Sequence, residues 1–412
     1  MRVLFLSVSA GFGGAERVLL DTIAAVGQLH ADWAIGVVCL AEGPLAAELA
    51  ARGIDVRVLP LPRRFAALGE SGRSTAHTLA GLAGNAWALR SYTRTLRAAM
   101  GAWRPDVVHA NGLKAHVLAA WAAPAGARIV WHVHDYISAR RVSSVLLRSH
   151  QRRAAVVVAN SESVAADVRR VLGRGARVAV VHNGIDTNAF VPDGSRLDLD
   201  GAAGLPAPPP GTIRVGLVAT YARWKGHETF LRAFSRLGDL PVRGYIVGGA
   251  LYETTGSQYS REELEGVVRA LNLVGRIGFV PFQREVAPVY RSLDIAVHAS
   301  TRPEPFGLAV LEAMACGRAL VVSNTGGVCE LVADAGTALT HAAGDAHGLA
   351  DGIAHLTREP ALRVRLGTNA RRRAVDVFGR ERLGLAISDI YESLYHSHPD
   401  PALVAAGAGS VR

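Results

Sequence analysis

Lysine is almost missing from this chain. Of its 45 basic residues only Lys114 and Lys225 are lysines, and all the others are arginines. Where arginine is the default cation, a lysine marks a place that wants a compact point charge rather than a planar fork. Cysteine is nearly as scarce, with Cys39, Cys316 and Cys329 far apart in apolar surroundings. That excludes a disulfide framework or a Cys-rich metal site and fits a reduced cytoplasm. No apolar run approaches the roughly 18 residues that span a bilayer. The opening Met-Arg-Val-Leu-Phe-Leu-Ser-Val has one basic residue, a short apolar run and no small-residue cleavage site. It reads as a first β-strand rather than a signal sequence. No nucleic-acid motif is present, and no Asp-x-Asp pair stands at a strand end. Asp198-Leu-Asp200 falls in a linker-like stretch instead, so no metal site is expected.

A length of 412 residues, half of them hydrophobic, suits two domains of similar size. The formal net charge of +10 favours anionic partners such as nucleotides or lipid headgroups. A solvated arginine surface accounts for it equally well. Strand-like and helix-like segments alternate, which means an α/β fold with parallel sheets covered on both faces. Strands are expected at 2–8, 34–40, 54–59, 106–109, 128–133, 155–159 and 178–182. Between the first strand and its helix stands Gly11-Phe-Gly-Gly14. A dinucleotide fingerprint would want glycine near position 16, where Glu16 stands, so NAD binding is weakly supported.

Residues 62–101 break the alternation. Arg63, Arg64, Arg73, Arg90, Arg94 and Arg97 are mixed with Phe65, Leu68, Leu79, Leu82, Trp87, Leu89 and Leu96. These read as amphipathic helices, either ordinary covering helices or ones that lie on an anionic surface or an acceptor cleft. After two strands come His109-Ala-Asn-Gly-Leu-Lys114 and Trp131-His-Val-His134-Asp135. Both place polar groups beyond the carboxyl ends of parallel strands, where open α/β sheets bind ligands. His132 shares a face with His134, so either one is a candidate.

A composition shift follows near residue 190, with Pro206-Ala-Pro-Pro-Pro-Gly211 as a stiff, unpaired linker. A second α/β domain then runs through strands at 213–219, 245–249, 277–281, 294–299 and 319–324. Just after its first strand stand Arg223-Trp-Lys225-Gly226, a positive clamp for a pyrophosphate. Beyond about residue 342 the pattern is helical. A last helix at 381–396 carries Leu383, Leu385, Ile387, Ile390, Tyr391 and Leu394, and the tail from 397 is expected to be disordered.

The most informative stretch is Ser300-Thr-Arg-Pro-Glu-Pro-Phe-Gly-Leu-Ala-Val-Leu-Glu-Ala-Met-Ala-Cys-Gly317. Pro305 suits the first turn of a helix and Gly317 its left-handed stop. The helix is apolar all round and therefore buried. Its lone charge, Glu312, needs a donor partner, and Arg302 is one structural possibility. Glu304 stands before the helix, where free N–H groups at Phe306, Gly307 and Leu308 would face an anion. Two carboxylates and a bare helix N-terminus suit a phosphate-bearing polyhydroxyl ligand.

Glu304 and Glu312, with seven residues between them, and the Pro-Phe-Gly after the first, resemble the paired-glutamate signature of the retaining GT-B glycosyltransferases of family four. Lys225, the Gly13-Gly14-Ala-Glu turn and Val180-Val-His-Asn-Gly-Ile-Asp186 extend the likeness over roughly residues 2–396. The resemblance implies two Rossmann-like domains facing each other across a cleft, 1–190 and 212–380, joined by the linker 191–211. It also implies a helix at 381–396 crossing back to the first domain. It assigns Glu304, His134, Lys225 and Arg223 to catalysis, although the two cations here are separated by Trp224 alone, where members often have a longer insert. Glu312, Phe306, Gly307, Leu308, Gly14, Pro281 and Tyr290 fall to the donor. Thr325-Gly-Gly327 would be a second backbone approach to it. Gly13, His109 and Lys114 are the acceptor-side candidates.

The implied activity is transfer of a sugar from a nucleoside-diphosphate sugar to a hydroxyl of a glycan or lipid-linked acceptor. No cofactor or metal is expected, and the place is the cytoplasm, with contact to an anionic membrane. A non-catalytic nucleotide-sugar-binding module and a nucleotide-sugar epimerase are the rival readings.

Overall fold

The computed structural model describes residues 1–8, 11, 13–62, 65, 86–250, 256–333 and 336–396. The described chain divides into two compact units: unit 1 draws on 1–160, 164–182 and 381–396, and unit 2 on 161–163 and 183–380. Arg63, Arg64, Leu68, Arg73, Leu79 and Leu82, expected on amphipathic helices, lie outside the described residues. So does the tail from 397, expected to be disordered.

Unit 1 is built on seven strands: β1 (Arg2–Ser7), β2 (Ala34–Cys39), β3 (Asp55–Val58), β4 (Val107–Asn111), β5 (Arg128–Val133), β6 (Ala154–Ala159) and β7 (Val178–Val180). They form one parallel sheet in the order β3-β2-β1-β4-β5-β6-β7. Val3, Leu4, Phe5 and Leu6 are all buried, which explains why β1 reads as a continuous apolar run. A strand covered on both faces has no polar side to alternate with.

One face is covered by helix α1 (Gly14–Leu29) and by the last helix (Arg380–His396). Leu383, Ile387, Tyr391 and Leu394 of that last helix are buried with Val3, Phe5, Leu19 and Val26. They recur every three or four residues, which makes one helix stripe. Leu385, expected on this stripe, is 52% exposed; two positions from Leu383, it turns to the opposite side. At Gly384 the last helix and α1 come close, and a Cβ there would sit 2.7 Å from the Ala25 Cβ.

Unit 2 carries β8 (Ile213–Val218), β9 (Val242–Val247), β10 (Ile277–Val280), β11 (Ile295–His298), β12 (Ala319–Ser323) and β13 (Leu339–His341). They form a parallel sheet in the order β10-β9-β8-β11-β12-β13. The two parallel sheets and their helices are the α/β architecture that the alternation implied.

β9 begins three residues before its expected start. The reason is Arg243, a buried cation inside the strand, whose guanidinium is 2.7 Å from Asp200. The stretch 191–211 is correspondingly not free chain. It contains a helical turn at Leu199–Ala203, and Asp200 is buried on Arg243, Arg214 and Tyr245. Among the described residues no helix is long and apolar enough to cross a membrane.

Candidate active site

In unit 2 the chain leaves β8 toward β9 on one side and β11 toward β12 on the other. This reversal between neighbouring parallel strands opens a crevice beyond their carboxyl ends, the usual place for a ligand in an open α/β sheet. The residues that follow the two strands meet there. After β8 the chain makes a 3₁₀ turn at Arg223–Lys225. Gly226 follows at φ +77°, and a Cβ there would lie 1.9 Å from the Ala299 carbonyl oxygen. Only glycine allows that approach. A second tie is the Thr301 N–H, which donates to the Trp224 carbonyl at 2.7 Å.

These ties bring Lys225 onto the segment after β11. Its Nζ is 2.8 Å from both carboxylate oxygens of Glu304. Glu304 Oε2 also accepts from the Ser300 hydroxyl at 3.0 Å and lies 3.3 Å from His298 Nε2. Burial alone would raise the Glu304 carboxyl. The Lys225 ammonium and the His298 hydrogen bond outweigh it and hold the group well below the usual carboxylate range. Glu304 is thus a fixed anion, and Lys225 a fixed cation lying 4.2 Å from the Trp224 ring centroid. A pocket beside the pair is lined by Lys225, His298, Ser300, Tyr290, Ala309 and Val310, among others.

The helix after Glu304 runs Leu308–Ala315 and is labelled α2, with Gly307 at φ +102° as its N-cap. Pro305, expected in its first turn, lies outside it. The left-handed Gly307 starts the helix later, and Glu304 makes a parallel bridge with Gly326. Leu308 opens α2, so its N–H lacks an intrahelical acceptor by helix geometry. Phe306 is a core residue, 2% exposed.

Val310, Leu311, Ala313, Met314 and Ala315 are buried, as an all-apolar helix requires. One donor for Glu312 is the Tyr290 hydroxyl, at 3.0 Å, while Arg302 is exposed. Tyr290, expected against a base, therefore commits its hydroxyl to Glu312. Gly327, expected against phosphate, is required within the chain itself: a Cβ there would sit 2.1 Å from the Pro305 carbonyl oxygen. Pro281 is exposed after β10.

The structure separates the two clamp cations. Arg223 turns to Glu263, at 2.7 Å, and lies over the Tyr259 ring.

Unit 1 has its own strand-end cluster. His109, expected on the acceptor side, is buried under the last helix. Its Nδ1 is 2.6 Å from the Tyr391 hydroxyl, and its Nε2 is 3.1 Å from His132 Nδ1. The odd positions of β4 face that helix, so the sheet's own alternation puts His109 in the core. The His132 ring lies 4.1 Å from that of His134, and His134 Nε2 bonds Asn111 Oδ1. Burial, with like-charged neighbours, lowers His109 and His134 to about 3, and burial lowers His116 to about 4. All three are neutral imidazoles near pH 7.

Gly13 caps α1 and donates its N–H to Glu16 at 3.0 Å. That bond explains why an acid replaces the dinucleotide glycine, and it occupies an N–H expected to face acceptor. Gly14 opens α1, and Lys114 is half-buried in the first turn of the helix Leu113–Ala122. His298 and Asn111 were not among the expected site residues. Their signal was position: each closes a strand next to the sheet's point of reversal.

The family model of glycosyl transferases group 1 matches residues 207–373, and that of glycosyltransferase family 4 matches residues 44–189. The glycogen synthase of Mycobacterium tuberculosis is 30% identical over 304 residues, 70% of this chain and 69% of that protein. The chain belongs to the group 1 glycosyltransferases of family 4.

This glycosyltransferase is also 34% identical, over 216 residues, to the lipopolysaccharide core biosynthesis mannosyltransferase LpcC of Rhizobium leguminosarum. That match takes in 52% of this chain and spans 59% of the relative's length, less than two thirds of it. Among solved structures, Anabaena HepE in complex with UDP-glucose superposes with a TM-score of 0.74 at 26% identity, over 95% of this chain and all of that one. The fold of both units is thus that of the GT-B glycosyltransferases.

Proposed function

We propose that this glycosyltransferase moves a hexose from a nucleoside-diphosphate sugar to a hydroxyl of a glycan or lipid-linked acceptor, with retention at the anomeric carbon. The observation that carries the reading is the Lys225–Glu304 pair at the reversal point of the unit 2 sheet, 2.8 Å apart and largely enclosed. Lys225 neutralises the diphosphate, together with the N-terminus of α2. Glu304 accepts from hydroxyls of the sugar, and Glu312 from the ribose. Arg223 on Glu263 leaves the main charge to Lys225. His134 is assigned a part in the transfer, as the resemblance implies.

The bond from the anomeric carbon to the phosphate oxygen breaks, and the acceptor oxygen forms the new bond on the same face. The departing phosphate takes the acceptor proton. Fixed positive groups perform the charge neutralisation, so no metal is assigned a role. A relative named for lipopolysaccharide core biosynthesis supports a cell-surface polysaccharide or glycolipid product, and a neighbour solved with UDP-glucose supports a nucleoside-diphosphate donor. The helix Ala86–Trp103 exposes Trp87, 81% accessible, beside Arg90 and Arg94. This favours work at the cytoplasmic face of an anionic membrane.

Incubation with UDP-, GDP- and ADP-linked hexoses, with mass spectrometry of the products, tests the reading. Transfer or donor hydrolysis supports it. Binding without turnover points to a non-catalytic module, and an isomerised donor to an epimerase.

A further inference from the structure

Three donors converge on one oxygen of Glu304. Oε2 meets the Lys225 ammonium at 2.8 Å, the Ser300 hydroxyl at 3.0 Å and His298 Nε2 at 3.3 Å. A carboxylate only accepts, so the single hydroxyl proton of Ser300 goes to Glu304. Ser300 Oγ is also 3.0 Å from His298 Nε2. With its own proton committed, that oxygen accepts from the ring, as the carboxylate does, and the ring proton sits on Nε2. Among the described residues His298 Nδ1 is buried and meets no partner. A proton placed there instead would be a buried N–H without an acceptor, with two lone pairs turned toward each other at Nε2. An imidazolium also carries a proton on Nε2, so the ring donates to this cluster in either state.

The three donors differ in their freedom. Ser300 is fully buried and His298 is 7% exposed. The Ser300 carbonyl accepts from the Ser323 hydroxyl at the end of β12, at 2.7 Å, and the Glu304 carbonyl accepts from the Gly327 N–H at 2.7 Å. His298 and Ser300 therefore belong to the fixed end of the sheet. Lys225 carries its ammonium on a flexible four-carbon stem, and its side chain is 20% exposed. Of the three it is the one that can follow an anion. A carboxylate held by an ammonium alone would lose its place when that ammonium moved.

We propose that His298, together with Ser300, is a positioning residue for glycosyl transfer: it anchors Oε2 of Glu304, so that the carboxylate keeps its orientation toward the sugar while Lys225 is drawn to the diphosphate. The proposal rests on the roles of Glu304 and Lys225 in the proposed function. It divides the donors of one carboxylate into a movable charge and an immobile anchor.

The test uses the full chain and hydrolysis of whichever of UDP-glucose, GDP-mannose and ADP-glucose the wild type turns over. His298→Phe keeps a flat ring and loses the donor, whereas His298→Gln keeps an amide N–H of similar reach. His298→Phe lowers kcat by up to about 100-fold, the scale of loss that a roughly 1 Å misplacement causes. KM for the donor moves little, and the affinity for UDP, GDP or ADP, which carry no sugar, stays at the wild-type value. His298→Gln recovers most of the rate. Ser300→Ala removes a single hydroxyl and moves kcat in the same direction, which decides the matter if His298→Phe does not fold.

His298→Phe at the wild-type rate, His298→Gln as slow as His298→Phe, or a loss confined to KM overturns the proposal. Lys225→Ala and Glu304→Gln separate it from the reading beneath it. If both lose rate while His298→Phe and Ser300→Ala keep it, the positioning role alone is refuted. If both turn over donor like wild type, or the wild type uses none of the three donors, the proposed function fails and the positioning role falls with it.

Discussion

Replacing Lys225 by alanine removes a cation that meets both oxygens of Glu304. The carboxylate, 7% exposed in wild type, keeps the Ser300 hydroxyl and His298 among its partners. Removing one member of a buried ion pair costs about 3–5 kcal/mol when nothing else compensates. Here the Lys225 side chain is 20% exposed and two hydrogen bonds persist, so about 2 kcal/mol is the expected loss of stability.

The effect on turnover is separate. Losing one fixed positive donor at a developing anion lowers kcat by about 10²–10³, and Lys225→Arg restores only part, because a planar fork does not replace a point charge. The pH dependence provides a second readout. The folded Glu304 carboxyl titrates below its ordinary value of 4.5, so the unfolded state binds more protons as pH falls through that value. Wild type therefore loses stability on acidification below about pH 4.5. Without Lys225 the largest influence that lowers the carboxyl is gone, and that acid limb shrinks. Thermal melts at stepped pH and steady-state rates with the donor panel measure both. Turnover of Lys225→Ala within a few-fold of wild type would falsify the clamp.

Three further outcomes come from the packing. Asp200→Ala leaves the buried Arg243 guanidinium without its carboxylate, at 2.7 Å in wild type, and costs about 3–5 kcal/mol, read from denaturant midpoints of the full chain. Gly384→Val forces a side chain into the 2.7 Å approach to Ala25. It lowers the melting temperature at a cost of about 1–3 kcal/mol, while the conservative Gly384→Ala does less. His109, 1% exposed, titrates in the fold at about 3, chiefly because burial disfavours its charge. The unfolded chain takes up that proton near 6.5, so stability present above that value is lost as pH falls. The loss is about 2 kcal/mol between pH 7 and 5, and His109→Phe reduces this pH slope in stepped-pH melts.

Much of the fold was legible because parallel strands covered on both faces have no polar side. Their apolar runs, such as Val3–Leu6, stand out against the intervening helices. The features that escaped are those where a polar residue enters a strand or an element is very short. Arg243 hides the start of β9 because its partner, Asp200, lies 43 residues earlier. β13 has three residues with an exposed Thr340 between two others, too few for any period to show.

In the site, the identity of the charged residues was readable, but their pairing was not. Sequence placed Arg223 and Lys225 two positions apart, yet a 3₁₀ turn sends them to different carboxylates. The buried partner of His109 is Tyr391, 282 residues away, which local pattern cannot supply. Pro305 was read as a helix start, because proline suits that position, but Gly307 adopts the left-handed conformation that delays it.

The contrast between those two cations explains why the site is organised around lysine in a chain that otherwise uses arginine. Arg223 and Glu263 are both nearly half exposed. A pair of that kind contributes little and is screened by salt. It can exchange partners freely, but it holds no fixed direction. Lys225 is enclosed against Glu304, and its loop is pinned by the Gly226 approach to Ala299 and by the Thr301–Trp224 bond. Its ordering is therefore complete before any ligand arrives, and a charge that need not reorganise stabilises a developing anion best. Glu304 shares the same ammonium, so in the proposed reaction the diphosphate competes with it for positive charge. The carboxylate then keeps Ser300 and His298 as partners. In the proposed reaction those hydrogen bonds hold the Glu304 carboxylate in place while Lys225 turns toward the phosphate. This assigns His298 a use that its position at the end of β11 alone did not reveal.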